Sequence, residues 1–124
     1  DDARAAAQSG ADALIVSNHG GRQLDGAVST IKALPGIVDA AGKDIEVWMD
    51  GGIRSGQDVL KAWALGAKGT MIGRSFLYGL GAMGGPGVTK CLEIIHRELD
   101  LTMAFTGHRD IQDVTKDILY PGTY

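Results

Sequence analysis

Residues 45–66 read IEVWMDGGIRSGQDVLKAWALG and contain a strand, a loop and a helix in that order. The apolar run Ile45–Met49 is typical of a buried strand, and the polar turn Asp50-Gly51-Gly52 ends it. Ser55 suits a helix N-cap, and apolar residues then recur at helical spacing up to Gly66. The segment therefore predicts one β-strand followed by one α-helix.

The same order occurs on both sides of this unit. Ala11–Val16 predicts a strand buried on both faces, Thr30–Ala41 a helix interrupted by Pro35, and Gly69–Ile72 a third strand. A helix from Ala3 to Gln8, capped by Asp2, is predicted before the first strand, and a helix carrying Phe76, Leu77 and Leu80 is predicted after the third. A break at Gly84–Gly87 then precedes a long helix, whose apolar stripe consists of Val88, Leu92, Ile95, Leu99 and Met103. The chain ends in a polar tail with a turn capped by Thr115.

Strands that alternate with helices indicate an α/β fold with a parallel sheet. A doubly wound sheet commonly has one glycine-rich turn at a switch point, whereas a barrel collects loops from every strand. All the predicted strands here end in polar or glycine-rich clusters, which favours a (β/α)8 TIM barrel. About three strands cannot close a barrel, so we expect residues 1–124 to be the C-terminal part of one, with exposed sheet edges.

Composition narrows the function classes. The net charge is -3 and no run of Lys or Arg occurs, so the sequence lacks the electrostatic footprint of a nucleic-acid-binding protein. Its apolar runs are too short for a transmembrane segment. Cys91 has no partner cysteine for a disulfide or a metal cluster, and we expect it to be a small buried residue. His96 and His108 are expected on the surface, so no metal site is predicted.

The segment Ser17-Asn18-His19-Gly20-Gly21-Arg22-Gln23-Leu24-Asp25 follows the first strand. An imidazole can take a proton near neutral pH, and a guanidinium can hold a carboxylate through two parallel hydrogen bonds. His19 and Arg22 together suit a 2-hydroxy acid, although a loop His and Arg are equally often solvated or structural. Asp25 either pairs with Arg22 or caps the turn.

The other two strand ends, Asp50-Gly51-Gly52-Ile53-Arg54 and Ile72-Gly73-Arg74, have the pattern of a phosphate cradle. Free backbone N–H groups at a helix start, together with two arginines, form a fixed positive pocket for a dianion. One such turn is weak evidence, but two of them on the last two strands favour a phosphate site.

These motifs, in this order and spacing, resemble the FMN-dependent 2-hydroxy-acid oxidase and dehydrogenase family, which includes L-lactate dehydrogenases, glycolate oxidases and mandelate dehydrogenases. The resemblance implies that His19 is the catalytic base, that Arg22 binds the substrate carboxylate and that Ser17 lies near the flavin ring. It also implies a set of residues that hold the ribityl chain and phosphate of FMN: Asp50, Gly51, Gly52, Arg54, Gly73 and Arg74.

The implied reaction is oxidation of an (S)-2-hydroxy acid to the 2-oxo acid, with L-lactate favoured and the electron acceptor open. Other residues that this family uses, including the aspartate that orients the histidine, lie upstream of Asp1, so we expect the chain alone to be inactive. The resemblance implies a homo-oligomer in the cytoplasm, with peripheral membrane association left open. The alternatives are a non-catalytic FMN- or phosphate-binding half-barrel and a barrel similar to IMP dehydrogenase, against which Ser17–Gln23 argues.

Overall fold

The computed structural model describes residues 1–124 and confirms the predicted alternation of strands and helices. Asp2 is not an N-cap, because the first helix already includes it and begins after Asp1 without a side-chain cap. The third strand is shorter than predicted and ends at Thr70. The elements are α1 Asp2–Gln8, β1 Ala13–Val16, α2 Thr30–Ala41, β2 Glu46–Met49, α3 Gly56–Ala64, β3 Gly69–Thr70, α4 Arg74–Met83 and α5 Gly85–Phe105, with short 3-10 turns at His19–Gly21, Ile111–Asp113 and Lys116–Ile118.

The three strands form one parallel sheet in the order β1-β2-β3. Val16 of β1 pairs with Met49 of β2, which in turn pairs with Thr70 of β3, so the carboxyl ends of the strands lie side by side. Each strand therefore delivers the loop that follows it to the same edge of the sheet, where α/β folds place their chemistry.

The helices cover one face of the sheet. Val16, Val47 and Met49 point into the main core, where Leu34 of α2 is fully buried. The opposite face carries Ile15, which is 49% exposed, and Trp48, which lies against Gly69. The prediction that β1 is buried on both faces is therefore wrong, because no element of the chain covers this second face.

The long helix α5 packs through most of the predicted stripe, because Val88, Ile95, Leu99 and Met103 are half-buried, and Leu92 is the exception. Leu92 is 53% exposed, and Cys91 instead faces α4, where its Sγ donates to the Ser75 carbonyl at 3.3 Å. Cys91 is half-buried rather than buried. The segment after α5 is also less polar in its contacts than predicted, because Val114 is buried against Leu60 of α3.

Two chain segments fix the start of α3. Ser55 and Asp58 form a capping box, in which Asp58 Oδ2 accepts from Ser55 N at 3.0 Å and from Arg54 N at 2.9 Å. Glu98 of α5 reaches across and accepts a hydrogen bond from Gly56 N at 3.0 Å. The loop between β2 and α3 is therefore held at its far end by α5.

We expect Gly56→Ala to lower the free energy of unfolding by about 3 kcal/mol, the upper part of the range for overpacking. A Cβ at Gly56 would overlap the backbone N of Leu99, so α3 and α5 would have to separate to accommodate it. Gly36→Ala is the matched control, since a Cβ there meets open space in the middle of α2 and should stabilise the helix. Urea unfolding followed by circular dichroism measures both, and equal stabilities for the two variants would contradict the packing argument.

Candidate active site

The loop after β1 has an unusual backbone. His19 has φ +53° and is the only residue other than glycine with a positive φ, and Gly20 and Gly21 continue it at +67° and +71°. Short local bonds maintain this turn: Ser17 Oγ accepts from His19 N at 3.1 Å, and Asn18 Oδ1 accepts from Gly20 N at 3.0 Å. A left-handed histidine costs of order 1 kcal/mol, and such strain is concentrated at functional sites.

The His19 side chain is exposed and hydrogen-bonded at one ring nitrogen. Its Nδ1 contacts Oε1 of Gln23, an oxygen that can only accept. With Nδ1 as donor in the neutral ring, the lone pair of Nε2 is free to take a proton. Gln23 was not among the predicted site residues, and its spacing of four residues from His19 is the signal in the sequence that indicates this contact.

Arg22 has no acidic partner in the chain. Asp25 Oδ1 accepts from Gly26 N at 3.0 Å, so the structure favours the turn-capping role over pairing with Arg22. The ion pairs of the chain are Arg4 with Asp1 and Lys90 with Glu93. The exposed Arg22 guanidinium is therefore available for an external carboxylate.

The loop after β2 is held close to the first loop. Thr30 Oγ1 donates to the Gly51 carbonyl at 3.1 Å. A Cβ at Gly51 would lie 3.1 Å from Thr30 Oγ1 and 3.2 Å from Asn18 Oδ1. Gly51, at φ +83°, thus has neither the backbone conformation nor the space for a side chain. Gly52 also has a positive φ, but the side on which a Cβ would stand is open.

Asp50 carries the clearest sign of a ligand. Its Oδ1 is buried and has no hydrogen-bond partner in the chain. A buried carboxylate oxygen without a donor is costly, and a hydroxyl group of a bound molecule would satisfy it. The same cleft therefore offers an acceptor for a polyol beside donors for an anion.

Those donors come from the loops after β2 and β3. The backbone N–H groups of Gly52, Ile53, Gly73 and Arg74 donate to no acceptor in the chain. Ser75 Oγ donates to the Ile53 carbonyl at 3.1 Å and joins the two loops. The Arg54 side chain makes no hydrogen bond within the chain, and the exposed guanidinium of Arg74 adds a second positive group. A dianionic phosphate fits this donor set.

The three loops line one cleft of about 290 Å³. Only Ser17 among the predicted site residues lies outside it, in an adjoining apolar groove beside Ile15, although it still holds the His19 backbone. The predicted residues that the cleft brings together are His19, Arg22, Asp50, Gly51, Gly52, Arg54, Gly73 and Arg74.

The sequence profile of the family described as FMN-dependent dehydrogenase matches residues 1–121. The chain belongs to this family. Two members similar to it are the L-lactate dehydrogenases of Caulobacter sp. strain K31, 51% identical over 96% of this chain and 31% of that protein, and of Vibrio parahaemolyticus, 50% identical with the same coverage. The chain thus spans about a third of the length of these FMN-dependent dehydrogenases.

Solved structures of family members have the same fold. Mandelate oxidase with benzoyl-formic acid superimposes with a TM-score of 0.87 at 48% identity, over 91% of this chain and 34% of that one. The monotopic membrane protein (S)-mandelate dehydrogenase gives 0.91 at 43% identity, over 96% of this chain and 31% of that one. The prediction of a partial TIM barrel is confirmed. No helix of the chain combines the length and the apolar character needed to cross a bilayer.

Proposed function

We propose that residues 1–124 form the C-terminal portion of an FMN-dependent enzyme that oxidises an (S)-2-hydroxy acid to the 2-oxo acid. The observation that carries this proposal is the single cleft shared by His19, Arg22 and the loops after β2 and β3. It supports the proposal because an imidazole, a guanidinium and a set of unpartnered N–H donors are the groups that this reaction needs for the proton, the carboxylate and the cofactor phosphate.

The cofactor half of the cleft suits FMN. The phosphate would accept hydrogen bonds from the N–H groups of Gly52 and Gly73 and from Arg54, and a ribityl hydroxyl would donate to the unpartnered Asp50 Oδ1. When bound, FMN supplies the acceptor for the two electrons that leave the substrate. The protein contributes fixed donors and charge around it.

The substrate half of the cleft suits the acid. Arg22 would bind the carboxylate through both arms of its guanidinium and so fix the orientation of the 2-hydroxy carbon. His19 Nε2 would then accept a proton from the substrate as general base, while its Nδ1 is hydrogen-bonded to Gln23.

L-lactate is the proposed substrate because the curated relatives with 50–52% identity are L-lactate dehydrogenases, whereas the mandelate enzymes are 43–48% identical. A panel of L-lactate, glycolate and (S)-mandelate tests it on the complete enzyme, with and without oxygen. We expect the highest kcat/KM for L-lactate. A preference for mandelate would contradict the choice of substrate but not the reaction class.

We also propose a location and an oligomeric state for the complete enzyme. Likeness to a monotopic membrane protein supports peripheral membrane association. The cytoplasmic face and the homo-oligomer stay predictions from the family resemblance. Sedimentation of the complete enzyme with vesicles tests the association.

A second proposal concerns the chain by itself. Because it spans about a third of the family members that it matches, the chain alone would hold the FMN phosphate without oxidising substrate. Flavin fluorescence after denaturation, together with absent turnover, would support this, and measurable oxidation of L-lactate would refute it.

Arg54→Ala should weaken FMN binding about tenfold to a hundredfold, the usual effect of losing hydrogen bonds to a charged group. Riboflavin, which lacks the phosphate, should bind equally to both proteins. Flavin fluorescence titrations measure both ligands, and Arg109→Ala in the exposed tail is the control. If riboflavin binding fell as much as FMN binding, Arg54 would be supporting the fold rather than the phosphate.

A further inference from the structure

One side chain joins the loop after β1 to the loop after β3. Arg74 Nη2 donates to the carbonyl oxygen of Gly20 at 3.1 Å, across 54 residues of sequence. No other side-chain hydrogen bond connects these two loops. A Cβ at Gly20 would stand 3.3 Å from the same nitrogen, so the guanidinium approaches this closely because the residue is glycine.

The Gly20 carbonyl lies at the point where the first loop could rearrange. It is flanked by positive φ angles at His19, Gly20 and Gly21, and rotation of the Gly20–Gly21 peptide would redirect the chain between His19 and Arg22. Glycines permit such a rotation at little steric cost. The bond from Arg74 therefore helps to fix the base and the carboxylate ligand relative to one another.

Arg74 also stands at the anion-binding end of α4. It is the first residue of that helix, and its own N–H and that of Gly73 are free. A guanidinium has five N–H donors in a rigid fork, of which the Gly20 contact uses one. The same side chain can donate to Gly20 and to a phosphate at the start of α4.

We propose that Arg74 is a positioning residue that couples phosphate binding at α4 to the order of the His19–Arg22 loop. An anion held by the guanidinium restricts its motion, and the restricted guanidinium holds the Gly20 peptide in the conformation that presents His19 and Arg22 together. This inference rests on the proposed function for the source of the phosphate, and the bond to Gly20 stands independently of it.

Amide hydrogen exchange of the chain, measured by NMR, tests the first part without any anion. Gly20 N and Gly21 N both donate to Asn18, so their exchange reports whether the turn is intact. Arg74→Lys keeps the charge but loses the fork, and we expect both amides to exchange about tenfold faster, as for loss of a hydrogen bond to a charged group. Arg109→Lys in the exposed tail is the matched control and should leave them unchanged. Equal exchange in wild type and Arg74→Lys would overturn the positioning role.

Inorganic phosphate, compared with chloride at equal ionic strength, tests the coupling. We expect phosphate to shift the Gly52 and Gly73 amides and to slow exchange at Gly20 and Gly21 at least about fivefold in wild type, the lower end of typical coupling between sites. Phosphate should do the same in Arg109→Lys, and it should leave exchange at Gly20 unchanged in Arg74→Lys. A response at Gly52 and Gly73 without one at Gly20 overturns the coupling alone. No response at Gly52 and Gly73 overturns both the phosphate cradle and the coupling, and the anion-free measurement still decides the bond to Gly20.

Discussion

His19→Gln should slow the reduction of bound FMN by L-lactate by about a hundredfold to ten-thousandfold, the range that a positioned general base contributes. Glutamine approximates the size of histidine and can still bond to Gln23, but its amide cannot take a proton. FMN should remain bound, because the proposed donors to its phosphate lie in the loops after β2 and β3 and not in the loop that carries His19. Stopped-flow absorbance of the flavin in the complete enzyme measures the rate.

The control for this variant is His96→Gln, which changes an exposed histidine on α5. It should reduce at the wild-type rate. Normal reduction by His19→Gln would remove His19 from the role of base, whereas loss of FMN from that variant would show that the loop supports cofactor binding.

Arg22→Ala should weaken substrate binding about a hundredfold, since a charge-assisted bidentate contact to a carboxylate is lost. Arg22 bonds to no acidic residue of the chain, so the substitution removes a ligand contact without exposing an unpaired charge. Titration of the bound flavin with the 2-oxo acid product gives Kd directly, free of any change in the chemical step.

Arg22→Lys separates charge from geometry in the same experiment. It should recover part of the affinity, because an ammonium attracts the carboxylate but cannot form two parallel bonds. An unchanged Kd in Arg22→Ala would contradict the assignment of the carboxylate site.

The order of elements could be predicted because its signals are local. The Ser55 cap, the glycines after each strand and the apolar periodicities depend on neighbouring residues alone. The exposure of Ile15 and Leu92 could not be predicted, since it depends on which faces other elements cover. Cys91, not Leu92, faces α4, because Gly79 and Gly87 bring α4 and α5 into close approach beside Cys91.

The candidate site likewise has features that could be predicted from the sequence and features that could not. That His19, Arg22, Arg54 and Arg74 meet in one cleft follows from parallel strands whose carboxyl ends share an edge. The contacts of Gln23 with His19 and of Arg74 with Gly20 also depend on the positive φ of His19, which the sequence does not indicate because His19 is not a glycine.

Glu98 has a consequence for where an anion settles. Of the two helices that follow the loops after β2 and β3, α3 has its positive end already compensated by the carboxylates of Asp58 and Glu98. The start of α4 has no acidic residue in its first turn and no side-chain cap. Between these two helices, a dianion therefore meets an uncompensated helix dipole at α4, and a carboxylate from the distant helix α5 contributes to that difference.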